Sequence, residues 1–187
     1  MHQNITAMFI LSLTVMACDE HKEDTGETTS ETTSETTSTS DIDLDALTNA
    51  SGCSDVIFTL SAADGSTSLV FRWFTELAEQ AVLTGETQTA TVDLSVDGTL
   101  LLRSGSDVAQ LECTDTFDDS QWIDVEWAAV SGSAELTVDS LELEEADGMP
   151  AIGTITVRDA LLSADGQDDI TIDEISWSAE IGWVEAG

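Results

Sequence analysis

The sequence predicts an all-β domain, an antiparallel β-sandwich or flattened barrel of about nine or ten short strands that ends in a meander. Three observations carry that expectation. From about Asp41 onward apolar residues alternate with polar ones at a period of two, the spacing that turns one side of a strand toward a core. Clusters of Gly, Asp and Ser interrupt the alternation at short intervals, as turns do. The chain has one proline, Pro150, so its strands keep nearly all their backbone donors.

The elements follow in order. Val56, Phe58 and Leu60 alternate, Asp64-Gly65 marks a turn, and Leu69 to Phe74 is a second apolar run. Leu77, Ala78, Ala81 and Val82 share one side at helical spacing, which predicts one short helix over 76–83 capped by Gly85. Val92, Leu94 and Val96 alternate, Asp97-Gly98 signals a hairpin, and Leu100-Leu101-Leu102 returns. Ser104-Gly105 turns the chain into a strand ending at Cys113. Ile123, Val125, Trp127 and Ala129 define another strand face, closed by Ser131-Gly132.

The last third repeats itself. Leu136, Val138, Leu141 and Leu143 follow the order apolar-x-apolar-x-x-apolar-x-apolar. Ile155, Val157, Ala160 and Leu162 follow it too, as do Ile170, Ile172, Ile175 and Trp177, with Thr137, Thr156 and Thr171 at equivalent places. One extra residue per strand moves the apolar set to the other face. The expectation is aligned bulges, or bends where strands pass from one sheet to the other. The final strand continues through Ala179, Ile181 and Trp183.

The N-terminal part has a different texture. Ile5 to Ala17 is apolar, too short to span a bilayer and suited to a secretory signal. His2-Gln3-Asn4 lacks the usual positive charge. Val15-Met16-Ala17-Cys18 resembles the lipobox of bacterial lipoproteins, which implies cleavage before Cys18 and lipidation of its thiol. On that reading residues 1–17 are a signal peptide and 18–40 a tethered linker. Residues 41–187 are then the domain, held in the cell envelope at the outer membrane or cell surface rather than the inner membrane. In the linker, Glu-Thr-Thr-Ser occurs three times from Glu27 to Ser38, without an apolar residue to offset ordering entropy. A flexible coil of that length spans about 26 Å r.m.s..

Charge narrows the function. Of 38 acidic residues seven lie between Asp19 and Ser40; the remaining 31 share the domain with Arg72, Arg103 and Arg158 alone, a net charge near −28. Such a surface repels nucleic acid and anionic lipid headgroups, so neither is expected as a partner. With Cys18 lipidated, Cys53 and Cys113 form an even pair and are expected to be disulfide-bonded. Cys53-Ser54-Asp55, Cys113-Thr114-Asp115 and Val130-Ser131-Gly132, behind a Thr/Ser/Glu linker, resemble predicted lipoproteins of myxobacteria. That resemblance implies an envelope lipoprotein and brings no activity with it.

Missing residue types exclude several chemistries. His2 and His21 precede the domain, which also lacks Lys, and the chain has no Tyr. A Ser-His-Asp triad, a His-ligated zinc and a Lys nucleophile are thereby excluded from the domain, and no catalytic residue is assigned. Asp24-Thr25-Gly26 matches an aspartic-protease triplet but sits in the linker. Calcium is the sharpest cofactor candidate, because Asp side chains supply its oxygen ligands. A Cys53–Cys113 bond would bring Asp55 toward Asp115, with Asp118 and Asp119 close behind. The Asp41-Ile42-Asp43-Leu44-Asp45 run lacks the glycine and glutamate of a calcium loop and reads as linker end or edge strand. Trp127 and Trp177 are in register with core faces, whereas Trp122 points away and is the candidate for stacking on a sugar ring. The expected function is a lipid-anchored, non-catalytic binding or structural module of unnamed ligand. A calcium- or carbohydrate-binding module is the alternative, and a carboxylate-dependent hydrolase the third.

Overall fold

Eight strands form one antiparallel sheet: β1 (Leu47–Cys53), β2 (Ile57–Ala62), β3 (Thr67–Arg72), β4 (Gln88–Asp93), β5 (Thr99–Ser106), β6 (Trp122–Ser140), β7 (Gly148–Ser163) and β8 (Ile170–Val184). The structure is a computed structural model that describes residues 42–54, 56–114, 119–141 and 148–184, without the side chains of 148, 149, 183 and 184. The sheet runs β1-β2-β3-β5-β6-β7-β8, with β4 also on β6. It curls until its two ends meet: the Gly182 N–H donates to the Ser54 carbonyl at 2.6 Å. The class is all-β as expected, and of the two expected shapes it is the barrel, nearly closed, and not the sandwich.

Side-chain placement explains the barrel. Ile155 and Val157, then Ala160 and Leu162, are all buried in the same core as Phe58, Phe71, Leu136, Trp127 and Trp177. The residue inserted in β7 is absorbed at Asp159, whose φ of 51° is left-handed, so the apolar set returns to the same interior. The strand therefore bends around one core instead of passing between two sheets. The matching shift in β8 lies opposite, since Arg158 pairs with Glu174 and Ala160 with Ile172. In β6 the aligned irregularity is between Ala129 and Ser133, not in the stretch 136–143, whose outer end lies beyond the described residues. Gly132 is required there: its φ is 115°, and a Cβ would lie 2.6 Å from the Ala160 Cα.

Other expectations are corrected. Ser131-Gly132 does not end a strand; β6 runs 19 residues through it. Asp97-Gly98 does turn, but β4 and β5 do not pair with each other. They lie end to end along β6, β4 opposite 133–138 and β5 opposite 122–128. The loop between them closes on Asp93, whose carbonyl accepts from the N–H groups of Val96, Asp97 and Gly98. Residues 107–113 are no strand, since Val108–Gln110 is a 3-10 turn, and so is Leu44–Ala46. In their place β1, mostly polar, forms a strand without an apolar alternation to announce it.

The predicted helix is present as α1 (Leu77–Thr84), one residue later than expected and closed by Gly85. Its Leu77, Ala78 and Ala81 are buried against β4, β6 and β7. β6 and β7, of 19 and 16 residues, are more than twice as long as β1–β3, and it is on these long strands that α1 mainly packs.

Candidate functional site

The sheet has an outer face as well as a core, and its two halves differ. Over β2, β3 and β5 that face is covered. Thr59, Ser68, Val70, Leu101 and Arg103 on it are buried, because residues 107–114 cross it as a strap. Ser68 Oγ donates to the Val108 carbonyl at 3.3 Å. Farther along, Arg103 Nη1 donates to Glu112 Oε1 at 2.6 Å and Arg103 Nε to Glu126 Oε2 at 2.7 Å. Arg72 Nε donates to Glu112 Oε2 at 3.0 Å. The strap ends in the expected disulfide, Cys53–Cys113, with Cα atoms 5.6 Å apart. Burial works against the Arg103 cation, but the hydrogen bonds to Glu126 and Glu112 outweigh it and hold its pKa above the ordinary value.

Over β4, β6, β7 and β8 the outer face is bare and regular. Register places Thr89, Thr137, Thr154 and Ser178 in one row, and Thr91, Glu135, Thr156 and Ser176 in the next. The hydroxyls of Thr154 and Ser178 lie 2.8 Å apart and those of Thr156 and Ser176 2.9 Å apart. Arg158 sits beside these rows between Glu135 and Glu174, both of which accept from it. All three arginines of the domain are thus held by glutamates, and no basic side chain of the domain is left to balance the other acids.

At the barrel end bearing the β2–β3 turn, an open groove of about 400 Å³ is lined by Ile42, Asp43, Asp64, Ser66, Ser104 and Gly105, among others. Gly105 forms a wall against the backbone of Trp122, since a Cβ there would collide with the Trp122 carbonyl. Trp122, at the start of β6, is 55% exposed. Asp64 accepts from the Ser66 hydroxyl at 2.7 Å and the Ser66 N–H at 3.0 Å, which holds its carboxyl below the usual carboxylate range. A second groove, of about 230 Å³, adjoins it through Ala62 and Asp64 and adds Asp107 and Gln110. Only the Trp122 backbone meets the groove wall, at Gly105, and its indole is not among the lining side chains. Trp122 could be singled out in the sequence, but the groove could not, because its lining comes from separate stretches of the chain.

Of the calcium candidates, Asp119 is exposed, while Asp55, Asp115 and Asp118 lie outside the described residues, as does Cys18. Trp127 and Trp177 are in the core, with the Trp127 indole N–H donating to the Asp168 carbonyl at 3.1 Å. No protein family, curated protein or solved structure matches this chain.

Proposed function

We propose that this chain is a lipid-anchored, non-catalytic binding module of the bacterial envelope, carried by Cys18 on a Thr/Ser/Glu-rich tether. The observation that carries the reading is the Cys53–Cys113 bond. It suits an oxidising compartment and takes up the other two cysteines, leaving the Cys18 thiol for lipid. The filled core and shallow open grooves favour recognition on a surface over chemistry in a cleft. The anchor is tested by expressing the full chain with a labelled fatty acid. Label should enter the wild type and be lost in Cys18→Ser; a mature protein that retains residues 1–17 with an unmodified Cys18 overturns it.

A carbohydrate ligand is the second reading, favoured by the exposed ring of Trp122, 55% accessible at the start of β6. A glycan array probed with wild type and Trp122→Ala decides it: binding abolished by the substitution supports stacking, and no binding to any glycan dismisses it. The calcium reading rests on Asp55 and Asp115, each two residues beyond a bonded cysteine, with Asp118 and Asp119. Calcium should then raise the melting temperature more than magnesium or sodium chloride at matched ionic strength. A carboxylate-dependent hydrolase would need an acid held protonated near neutral pH, whereas Asp64 in the groove is held ionised.

A further inference from the structure

We infer that β4 is a self-association edge, along which a second copy of this chain lays its own β4 antiparallel and extends the sheet. The inference goes beyond the anchored-module reading and does not depend on it. Among the described residues β6 is the one strand that runs along β4. The strand that flanks β5 does not continue beside β4, because β3 stops at Arg72, opposite Thr99. The Leu94 N–H donates to the Gly132 carbonyl, and in an antiparallel ladder that parity turns Gln88, Ala90 and Val92 toward β6. Thr89, Thr91 and Asp93 therefore turn their backbone N–H and C=O groups to the other side. There the Asp93 carbonyl accepts from the loop that follows it, and the groups of Thr89 and Thr91 form an open edge. α1 packs on the core side, with Leu77, Ala78 and Ala81 buried, and Ala90, which faces that side, stays partly exposed.

The chemistry of this edge selects the occupant. Exposed edges are ordinarily guarded by charge, proline or a bulge. β4 carries none of these: no side chain from Thr87 to Val92 is charged, in a domain with 31 acids, and its pairing with β6 keeps one register throughout. A basic partner finds no carboxylate here to recognise, whereas a second copy brings no like charges into opposition. Antiparallel pairing centred on Ala90 sets Thr89 of each copy opposite Thr91 of the other, and Gln88 opposite Val92. Each Thr89 then exchanges both backbone bonds with a Thr91, and Thr–Thr pairs across strands are favourable. Exposed apolar side chains flank the same edge. Phe74, Val96 and Leu83, 94%, 77% and 69% exposed, lie just before α1, in the loop after β4 and near the end of α1. In the two-fold pair the end of one β4 lies beside the start of the other, so Val96 of one copy comes to the end of α1 in its partner.

The test follows the full chain by sedimentation velocity at low and at high sodium chloride, and by amide hydrogen exchange in dilute and concentrated protein. A dimer is expected whose association tightens at least about tenfold from low to high salt, because two domains of net charge near −28 repel until screened. The Thr89 and Thr91 amides are expected to gain protection as concentration rises. Thr91→Pro removes an N–H that β6 does not use, so it should leave the melting temperature almost unchanged and abolish the dimer. Thr89→Glu with Thr91→Glu keeps both N–H groups, sets carboxylates opposite one another and should abolish the dimer as well. If the proline variant fails to fold, the glutamate pair decides. Ala90→Cys should form a disulfide-linked dimer that wild type does not, which fixes the register. A chain that is monomeric at every salt and concentration overturns the proposal. So does a dimer that survives the folded variants, one that weakens with salt, or Thr89 and Thr91 amides that exchange alike in dilute and concentrated protein. Labelling of Cys18 is independent of every one of these outcomes, so failure here is distinguishable from failure of the anchored-module reading.

Discussion

Arg103 and Arg158 are each held by two glutamates, yet the two clusters sit in unlike places. The Arg103 side chain is 8% exposed and that of Glu112 7%, whereas Arg158, Glu135 and Glu174 are 39%, 57% and 62% exposed. The difference is the strap. Over β2, β3 and β5 it excludes water, so an unpaired charge there has no solvent to fall back on. Over β4, β6, β7 and β8 water replaces a lost partner at little cost. The same ion-pair chemistry therefore organises one face and merely decorates the other.

Breaking the strap should give the largest effect. Replacing both cysteines, Cys53→Ser with Cys113→Ser, opens a loop of 60 residues. The chain-entropy cost of that loop is about 4 kcal/mol, read as a fall in the denaturation midpoint. Next, Arg103→Met should lose about 3 kcal/mol, because Glu112 stays buried with only Arg72 beside it. A loss no greater than that of Arg158→Gln would erase the contrast between the faces. Gly132→Ala, at the bend both halves share, should cost about 2 kcal/mol from the forbidden φ and the clash with Ala160. Arg158→Gln should leave the melting temperature almost unchanged at moderate salt, since its pairs are solvated.

A pH titration separates turns from strap. Ser66 lowers the pKa of Asp64 and Ser95 lowers that of Asp93. A depressed carboxyl stabilises the fold above its unfolded value, near 4, and that contribution is lost as pH falls through the lower folded value. Ser66→Ala and Ser95→Ala together should therefore flatten the acid limb of the stability profile. They should leave the profile above about pH 5 unchanged in shape; a change confined to that upper range would assign the acid limb to other groups.

How legible the molecule was depends on how local each signal is. The helix, the β2–β3 turn and the buried faces of β7 and β8 were readable, because periodicity and turn chemistry act over a few residues. β1 was not, since Thr48 to Gly52 carry no apolar alternation and the strand exists through its pairing with β2. The strap read as a strand because Val108 and Leu111 are apolar, yet they face the outside of the sheet and not its core. Trp122 could be marked as outward from its register against Trp127; the groove at the β2–β3 turn could not, since it needs residues from 42 to 105 brought together.

The sequence alone determined that the domain is antiparallel β with one short helix, that two cysteines pair, and that acid overwhelms base. These follow from local periodicity and composition. Tertiary structure alone decided that the sheet closes into a barrel, because a residue inserted into a strand can either turn its apolar set outward or bend the strand around one core. Asp159 and Gly132 adopt the left-handed backbone that makes the second choice, and only contacts distant in sequence can impose it.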